Sequence, residues 1–162
     1  MIRIGFGFDT HRLQSGGEFW LGGVLIPHDK GAVGHSDADV LIHAIIDALL
    51  GAAGLRDIGT QFPDTAAEYK GIDSKVLLSR TMAMVTEKGF ATGNLDVTIV
   101  LEKPKVSSHV PEIISTLATI LSINPDQISV KAKTSEKMGF IGREEGVSAY
   151  AVVLLESIKN DN

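Results

Sequence analysis

The stretch HSDADVLIHAIIDALLGAAG, residues 35–54, is the clearest helix in this sequence. Ser36 is a favourable N-cap residue, and the aspartates of the turn that follows suit the positive end of the helix dipole. Gly51 or Gly54 is suited to end the helix, because glycine readily adopts the left-handed conformation that closes many helices. We therefore predict one strongly apolar helix here, with His43 among its few polar residues.

Strands and further helices are predicted on both sides of this helix. Before it, two apolar segments separated by Gly16 and Gly17 indicate an N-terminal β-hairpin. After it comes a long loop rich in Gly, Pro and Asp, and loops of that length are often functional. The remaining predicted elements are a helix over DSKVLLSRTMAMVTEKGF, a strand near Leu95–Leu101, a helix with Pro111 in its first turn, a strand in DQISVKAKTSE, a loop over GFIGREEG and a last strand in VSAYAVVLLESI.

The order of these elements predicts the fold class. Strands and helices alternate as β-β-α-α-β-α-β-β, with no linker, repeat or low-complexity tract between them. We expect a single domain over residues 1–162 with an α+β fold in two layers, because each apolar face must be buried against another element. The sheet should be a four-stranded mixed sheet plus the N-terminal hairpin, covered by helices on one face.

Composition excludes several classes of function. The chain has 162 residues, no cysteine and a formal net charge of -5. A disulfide scaffold and a thiolate metal site are excluded, and the lack of a dense basic run argues against nucleic acid as a partner. The longest apolar run is too short and too polar to cross a membrane. We expect a cytoplasmic protein, or a plastid protein if a transit peptide has been removed.

Three side chains form a candidate metal site. Asp9 and His11 lie two residues apart on the first strand, so they point to the same face. His43 shares a helix face with Asp39 and Asp47, one turn before and after it. Taken separately, Asp9 and His11 could form a surface ion pair, and His43 could be a buried histidine whose hydrogen bonds are satisfied. Together they offer two nitrogen atoms and one oxygen atom, which is typical of a zinc site that keeps one position open, with Asp47 as an acceptor that orients a ligand.

Other polar segments suit phosphate and sugar ligands. His35 and Ser36 stand at the start of the predicted helix, where free backbone N–H groups attract anions. Asp57 and Asp64 lie in the long loop, which would either be solvated or wrap the hydroxyl groups of a polyol. The run KTSEKMGFIGREEG places hydroxyl groups beside Glu136, an arrangement that is either a polar turn or a site for a magnesium-bridged phosphate.

Four separated motifs together resemble one family. The runs GFDTHR, GHSDADVLIHAIIDALLGAAGLRDIGTQFPDT, NLDVTIVLEKPKV and VKAKTSEKMGFIGREEGV are similar in order and spacing to 2-C-methyl-D-erythritol 2,4-cyclodiphosphate synthases. The resemblance implies an enzyme of non-mevalonate isoprenoid synthesis. In such an enzyme the 2-phosphate of 4-diphosphocytidyl-2-C-methyl-D-erythritol 2-phosphate attacks the β-phosphorus and CMP leaves. It also implies a homotrimer whose sheets pack around a three-fold axis, with active sites between subunits.

The resemblance also implies roles for individual residues. Asp9, His11 and His43 would hold one Zn²⁺ per subunit, Glu136 would hold Mg²⁺ or Mn²⁺ with the substrate diphosphate, and His35 with Thr134 would stabilise the transition state. An isoprenoid diphosphate is a possible ligand of the central channel, lined by Arg143 and Glu145. The implied substrate-binding residues are Ser36, Asp57, Ile58, Gly59, Phe62, Pro63, Asp64, Thr65, Ala66, Leu101, Lys105, Val106, Ser107, Lys133, Ser135, Phe140 and Arg143. Of these, the resemblance implies that Asp57–Gly59 hold the erythritol part, and that residues around Leu101 and Lys105–Ser107, with Lys133–Glu136, form the cytidine pocket.

The sequence departs from the family pattern at three positions. Ser135 replaces a threonine but keeps the hydroxyl group. Glu144 stands where a glycine is expected, which puts the geometry of the channel mouth and its ligand in question. Phe6 replaces a polar residue between two glycines, and none of the three departures touches the implied metal ligands.

Two other functions fit the same residues. A zinc-dependent hydrolase would hold water at the open metal position and would use Asp47 or Asp39 as general base. A trimeric binding module would carry an isoprenoid in its central channel and use zinc only for structure. The products formed from the cytidylyl substrate separate the first alternative from the cyclase, and removal of zinc separates the second.

Overall fold

The computed structural model describes residues 1–158, and a five-stranded mixed sheet forms its centre. The strands in chain order are β1 (Ile2–Ser15), β2 (Trp20–Leu21), β3 (Val24–Leu25), β4 (Lys30–Val33), β5 (Phe90–Val100), β6 (Ile128–Lys133) and β7 (Gly146–Ser157). The central sheet has the order β4-β1-β7-β5-β6, in which β5 and β6 are parallel and the other pairs antiparallel. Strands β2 and β3 form a separate two-stranded ribbon. The fold is therefore of the α+β class, as predicted.

Helices cover one face of the central sheet. They are α1 (Val40–Ala53), α2 (Ile58–Gln61), α3 (Ser74–Glu87), α4 (Val110–Leu121) and α5 (Gly139–Gly142). Helix α1 packs on β1 and β7, α3 packs on α1 and β5, and α4 packs on α3 and β6. Almost every residue of α1 is buried, including Leu41, Ile45 and Leu49. The predicted apolar helix is thus the centre of the core between the sheet and the outer helices.

Three predictions about these elements are wrong. The sheet has five strands, not four, and β1 does not form a hairpin with the segment after Gly17. Instead β1 continues through Ser15 and pairs with β4 and along its length with β7. Helix α1 begins one turn later than predicted: Asp39 is its N-cap, and its carboxylate accepts a hydrogen bond from Ile42 N. A buried carboxylate with several backbone donors is a stronger cap than the hydroxyl group of Ser36.

Two glycines let β1 and α1 approach closely. A Cβ atom placed on Gly5 would lie 1.8 Å from Ala48 O, and one on Gly7 would lie 1.9 Å from Ala44 O. Atoms cannot approach so closely, so the strand runs against the helix backbone only because both positions lack a side chain. This contact fixes the distance between the first strand and the histidine of α1.

The other face of β1 and β7 is apolar and exposed. Phe6 and Phe8 are 63% and 47% exposed, and they lie opposite Val152 and Tyr150 of β7. The rings of Phe8 and Tyr150 are 5.2 Å apart between centroids. A contiguous apolar sheet face of this kind is unusual for a monomer in water and marks an interaction surface.

Candidate metal centre and active site

Asp9, His11 and His43 come together where β1 crosses α1. Asp9 Oδ2 lies 2.9 Å from His11 Nε2 and 3.1 Å from His43 Nδ1, and the two ring nitrogens are 3.1 Å apart. The pleat of β1 points Asp9 and His11 toward the helix, as it does Gly5 and Gly7. The prediction that these three residues form a candidate metal site is confirmed.

This triangle of atoms fits a tetrahedral metal ion. Ligand atoms about 2.0–2.2 Å from a zinc ion in a tetrahedron lie roughly 3.3–3.6 Å apart, so the observed separations need to widen by only a few tenths of an ångström. Two imidazoles and one carboxylate are ligands that zinc accepts, and three protein ligands leave a fourth position for another molecule. The residues present therefore suit a catalytic zinc site better than a structural one.

The outer nitrogen atoms of both rings are already engaged. His11 Nδ1 lies 2.8 Å from Val33 O, so it carries a proton that it donates to this carbonyl. His43 Nε2 lies 3.0 Å from Ser36 Oγ and 2.9 Å from Ser74 Oγ. The inner nitrogens, which face Asp9, are then the ones that can lose their proton and bind a metal.

The three groups also shift each other's pKa. Burial by itself raises the pKa of Asp9, but hydrogen bonds with His11 and His43 outweigh it and lower that pKa to about 2. Burial lowers the pKa of His11, but the hydrogen bond to the Asp9 carboxylate, the charge of that carboxylate and the hydrogen bond to Val33 O together outweigh it and raise that pKa above its usual value. The carboxylate is therefore ionised at neutral pH, and the centre attracts a cation.

A cavity of about 340 Å³ lies on the outer side of His11, and a second of about 320 Å³ opens directly over the triad. The residues predicted to bind substrate that line the second cavity are His35, Ser36, Ile58, Gly59, Phe62 and Asp64. Pro63, Thr65 and Ala66 follow Phe62 in a turn closed by a bond from Ala66 N to Pro63 O. The triad thus shares one cavity with these six predicted residues, whereas Asp57, Pro63, Thr65 and Ala66 are not among its lining residues.

Two aspartates near this cavity hold the loop that follows α1. Asp47 Oδ1 accepts a hydrogen bond from Ile58 N at 2.8 Å, so it fixes the loop over the cavity, whereas the ring of His43 bonds to other side chains. Burial raises the pKa of Asp47. Asp57 caps α2: its Oδ1 accepts bonds from the amide and hydroxyl groups of Thr60, and these bonds lower its pKa.

The predicted cytidine pocket is a separate cavity. Its volume is about 160 Å³. The predicted residues that line it are Leu101, Lys105, Val106, Ser107, Lys133 and Thr134. It shares no lining residue with the cavity over the triad. Within one chain, Thr134 and the metal triad are therefore in different cavities.

The segment after Thr134 lies apart from the triad as well. Ser135 Oγ donates to Met138 O at 2.7 Å, and Glu136 is exposed with a positive φ. Phe140 lines the cavity beside His11, together with Glu145. Among residues 1–158, the structure groups Asp9, His11 and His43 as candidate metal ligands and does not bring Glu136 to them.

The GREEG segment forms two ion pairs. Arg143 Nε lies 2.9 Å from Glu145 Oε1. Glu144, at the position where a glycine was expected, has φ 58 and pairs with Lys103 Nζ at 3.0 Å. The Glu144 side chain therefore connects this segment to the loop of the cytidine pocket.

Two residues at the site were not predicted from the sequence. Ser74, which is fully buried, contacts His43, and Asp37 accepts a hydrogen bond from the hydroxyl group of Ser74. The sequence signal at Ser74 indicated only a helix start, which is also correct because Asp73 caps α3. The apolar wall formed by Tyr69, Ile72 and Leu77 was missed as well.

The fold and the triad together define a class: an α+β protein with a candidate two-histidine, one-carboxylate metal site in a cavity that has polar and apolar walls. The chain belongs to the YgbB family, whose model matches residues 2–156. It is 57% identical over 157 residues to the 2-C-methyl-D-erythritol 2,4-cyclodiphosphate synthase of Bacteroides fragilis, covering 97% of this chain and 99% of that protein. The resemblance inferred from the four motifs is confirmed.

Solved structures of related proteins have the same fold as this chain. The bifunctional IspDF from Campylobacter jejuni matches with a TM-score of 0.94 and 40% identity, over 98% of this chain. This chain spans 43% of that bifunctional one. IspF from Plasmodium falciparum in complex with CDP matches with a TM-score of 0.86 and 36% identity, over 98% of this chain and 97% of that chain. None of the helices within residues 1–158 is long and apolar enough to cross a bilayer.

Proposed function

We propose that this chain converts 4-diphosphocytidyl-2-C-methyl-D-erythritol 2-phosphate to 2-C-methyl-D-erythritol 2,4-cyclodiphosphate and CMP. A 2-phosphate oxygen forms a bond to the β-phosphorus, and the bond from that phosphorus to the oxygen that leaves with CMP breaks. No water is consumed, so the enzyme is a cyclising phosphorus–oxygen lyase. The observation that supports this most strongly is the Asp9–His11–His43 triad in the wall of a cavity, in a chain 57% identical to a synthase of this name.

We assign Zn²⁺ to the triad and Mg²⁺ or Mn²⁺ to Glu136. Bound beside the substrate phosphates, such dications would reduce the repulsion between nucleophile and electrophile and polarise the phosphorus atom. The protein supplies the rest by placement, because phosphoryl transfer requires little covalent chemistry from side chains. An attack within one molecule also avoids an entropic cost of up to roughly 7–11 kcal/mol.

The side chains over the triad have positions that suit this reaction. His35 and Ser36 line the cavity and would donate hydrogen bonds to phosphate oxygens. Ile58 and Gly59 line it too, and the bond from Ile58 N to Asp47 holds their loop in place for the erythritol hydroxyl groups. Asp57 would accept from those hydroxyl groups at the rim. Thr134 would join His35 in stabilising the transition state.

We further propose a homotrimer with active sites between subunits. In one chain the cavity over the triad and the cytidine cavity are separate, although the substrate must occupy both. A neighbouring copy that brings its cytidine cavity to this triad would resolve this separation and place Thr134 and Glu136 at the phosphates. The exposed apolar face around Phe6, Phe8 and Tyr150 is the surface that such packing would cover.

One further assignment rests on the same assembly. An isoprenoid diphosphate would bind in the central channel, with its tail on the apolar face and its phosphates near Arg143. Because Glu144 pairs with Lys103, its carboxylate is partly neutralised there. The location, cytoplasmic in bacteria or in a plastid, stays a prediction, as does the extent of the domain over residues 1–162.

Incubation with the cytidylyl substrate, zinc and magnesium, followed by phosphorus NMR, tests the reaction. We expect CMP and a cyclic diphosphate with two coupled phosphorus signals. An open-chain phosphate product would instead support a hydrolase. The structure supports the cyclase, because neither proposed general base is free: Asp39 accepts three backbone hydrogen bonds and Asp47 is bonded to Ile58 N.

A further inference from the structure

The ring of His43 has two competing partners on its outer side. Its Nε2 lies 3.0 Å from Ser36 Oγ and 2.9 Å from Ser74 Oγ. A neutral imidazole carries a single N–H group, and the other ring nitrogen must be the unprotonated one if it is to bind a metal. Which hydroxyl group accepts this proton decides how firmly His43 is held.

The hydrogen bonds that Ser74 already makes identify it as the acceptor of the proton on His43 Nε2. Its hydroxyl group donates to Asp37 Oδ1 at 2.5 Å, and its backbone N–H donates to Asp37 Oδ2 at 2.9 Å. The hydroxyl hydrogen is therefore committed to a carboxylate, and the oxygen presents its lone pairs to His43. Because Ser74 is fully buried, water does not compete for this position.

Ser36 is in a different state. It is half-exposed, lines the cavity over the triad and accepts a weak hydrogen bond of 3.3 Å from Ala38 N. If Ser74 takes the ring proton of His43, the hydroxyl hydrogen of Ser36 is free to point into the cavity. Ser74 then orients the histidine, and Ser36 is available to donate a hydrogen bond to a bound phosphate.

We propose that Asp37 and Ser74 are positioning residues for the metal centre. Asp37 orients the hydroxyl group of Ser74, Ser74 accepts the Nε2 proton of His43, and Nδ1 of His43 is thereby left as the ring nitrogen that binds the metal beside Asp9 and His11. This relay connects the start of α3 to a ligand on α1. The proposal rests on the proposed function only in taking Nδ1 of His43 as a zinc ligand.

Zinc affinity measures this role directly. The full chain is titrated with zinc against a chromogenic chelator, and circular dichroism reports whether each variant is folded. Ser74→Ala should weaken zinc binding by about 10- to 100-fold, the usual effect of losing a group that orients a metal ligand. Excess zinc should restore turnover, because Ser74 touches no substrate. Ser79→Ala is the matched control, since Ser79 lies on the same helix, is exposed and bonds only to Lys75 O within residues 1–158; its zinc affinity should stay unchanged.

Asp37→Asn tests whether Asp37 orients the hydroxyl group of Ser74. This variant tests the proposal by itself if Ser74→Ala does not fold. An asparagine keeps the shape but removes the charge, so zinc binding should weaken by several-fold, while Asp73→Asn, at the cap of the same helix, should leave it unchanged. Cobalt substituted for zinc should show an altered visible spectrum in Asp37→Asn if the geometry of the ligands changes.

Two results would overturn the proposal. One is zinc affinity within twofold of the parent protein in a folded Ser74→Ala or Asp37→Asn variant. The other is a loss of zinc affinity in Ser36→Ala alone, which would make Ser36 the partner of His43. A parent protein that binds zinc normally in these experiments but forms no cyclic diphosphate would contradict the proposed function while leaving the relay intact.

Discussion

Replacing Gly7 with alanine should separate the strand and the helix that build the metal centre. The new Cβ atom would lie 1.9 Å from Ala44 O and 2.7 Å from Ala48 N, and both neighbours are helix backbone that cannot rotate away. Helix α1 must therefore retreat by roughly 1 Å, at a cost of about 1–3 kcal/mol as for other overpacked cores. His43 is adjacent to Ala44, so it would move with the helix.

The functional effect follows from the geometry of the triad. Distances to a bound zinc ion are tolerated within about 0.2 Å, so a displacement of His43 five times larger should weaken zinc binding at least about tenfold. Urea unfolding in the presence of a chelator gives the change in stability without the metal, and chelator competition gives the zinc affinity.

Gly51→Ala is the control for this experiment. Gly51 lies in α1, and an added Cβ atom would have open space around it. Alanine is favoured over glycine inside a helix by about 0.5–1 kcal/mol, so this variant should be as stable as the parent protein or more stable. The reasoning is refuted if Gly7→Ala keeps zinc affinity within twofold and loses less than about 0.5 kcal/mol of unfolding free energy.

Four further predictions follow from the site and the fold. His43→Ala should abolish turnover and leave the oligomer intact by light scattering; near-normal rates at micromolar zinc would contradict the metal assignment. Asp39→Ala should lower the unfolding free energy in urea by about 3–6 kcal/mol, since a helix cap is lost and buried N–H groups lose their acceptor; a loss under about 1 kcal/mol would show that water replaces the carboxylate. Phe8→Asp should convert the proposed trimer to monomers in size-exclusion chromatography with light scattering, and an unchanged mass would place the subunit interface elsewhere. In metal-free protein the pKa of Asp9 falls from 3.8 to about 2 on folding, so its contribution of roughly 2 kcal/mol is present above about pH 4 and is lost as the pH falls through about 2. Acid titration of stability should therefore show a smaller loss in Asp9→Asn than in the parent protein.

The metal triad was predictable because short-range patterns place its members. The spacing of Asp9 and His11 on a strand fixes their common face, and a polar residue inside an apolar helix, His43, needs a partner. The relay through Ser74 was not predictable, because it joins residues 31 positions apart and its local pattern is explained by helix capping alone.

The errors in the fold have physical causes as well. Asp39 displaces Ser36 as the N-cap because it also accepts hydrogen bonds from Gly22 N and Gly23 N, contacts that no local pattern contains. The strand β4, with the sequence KGAV, is short and contains a glycine, so its local sequence indicates a turn. It is a strand because it pairs with β1. Both errors arise where tertiary contacts override local propensity.

Because side chains alternate along β1, the two faces of this one strand have different functions. Its odd-numbered positions, from Gly5 to His11, face the helix and supply two residues of the candidate metal site, while Ile4, Phe6 and Phe8 face outward. Deleting or inserting a single residue here would exchange the two sets, hiding the ligands from the cavity and pushing aromatic rings against α1. The length of this strand is therefore fixed, whereas a substitution at an outward position changes the exposed face without exchanging the two sets of side chains.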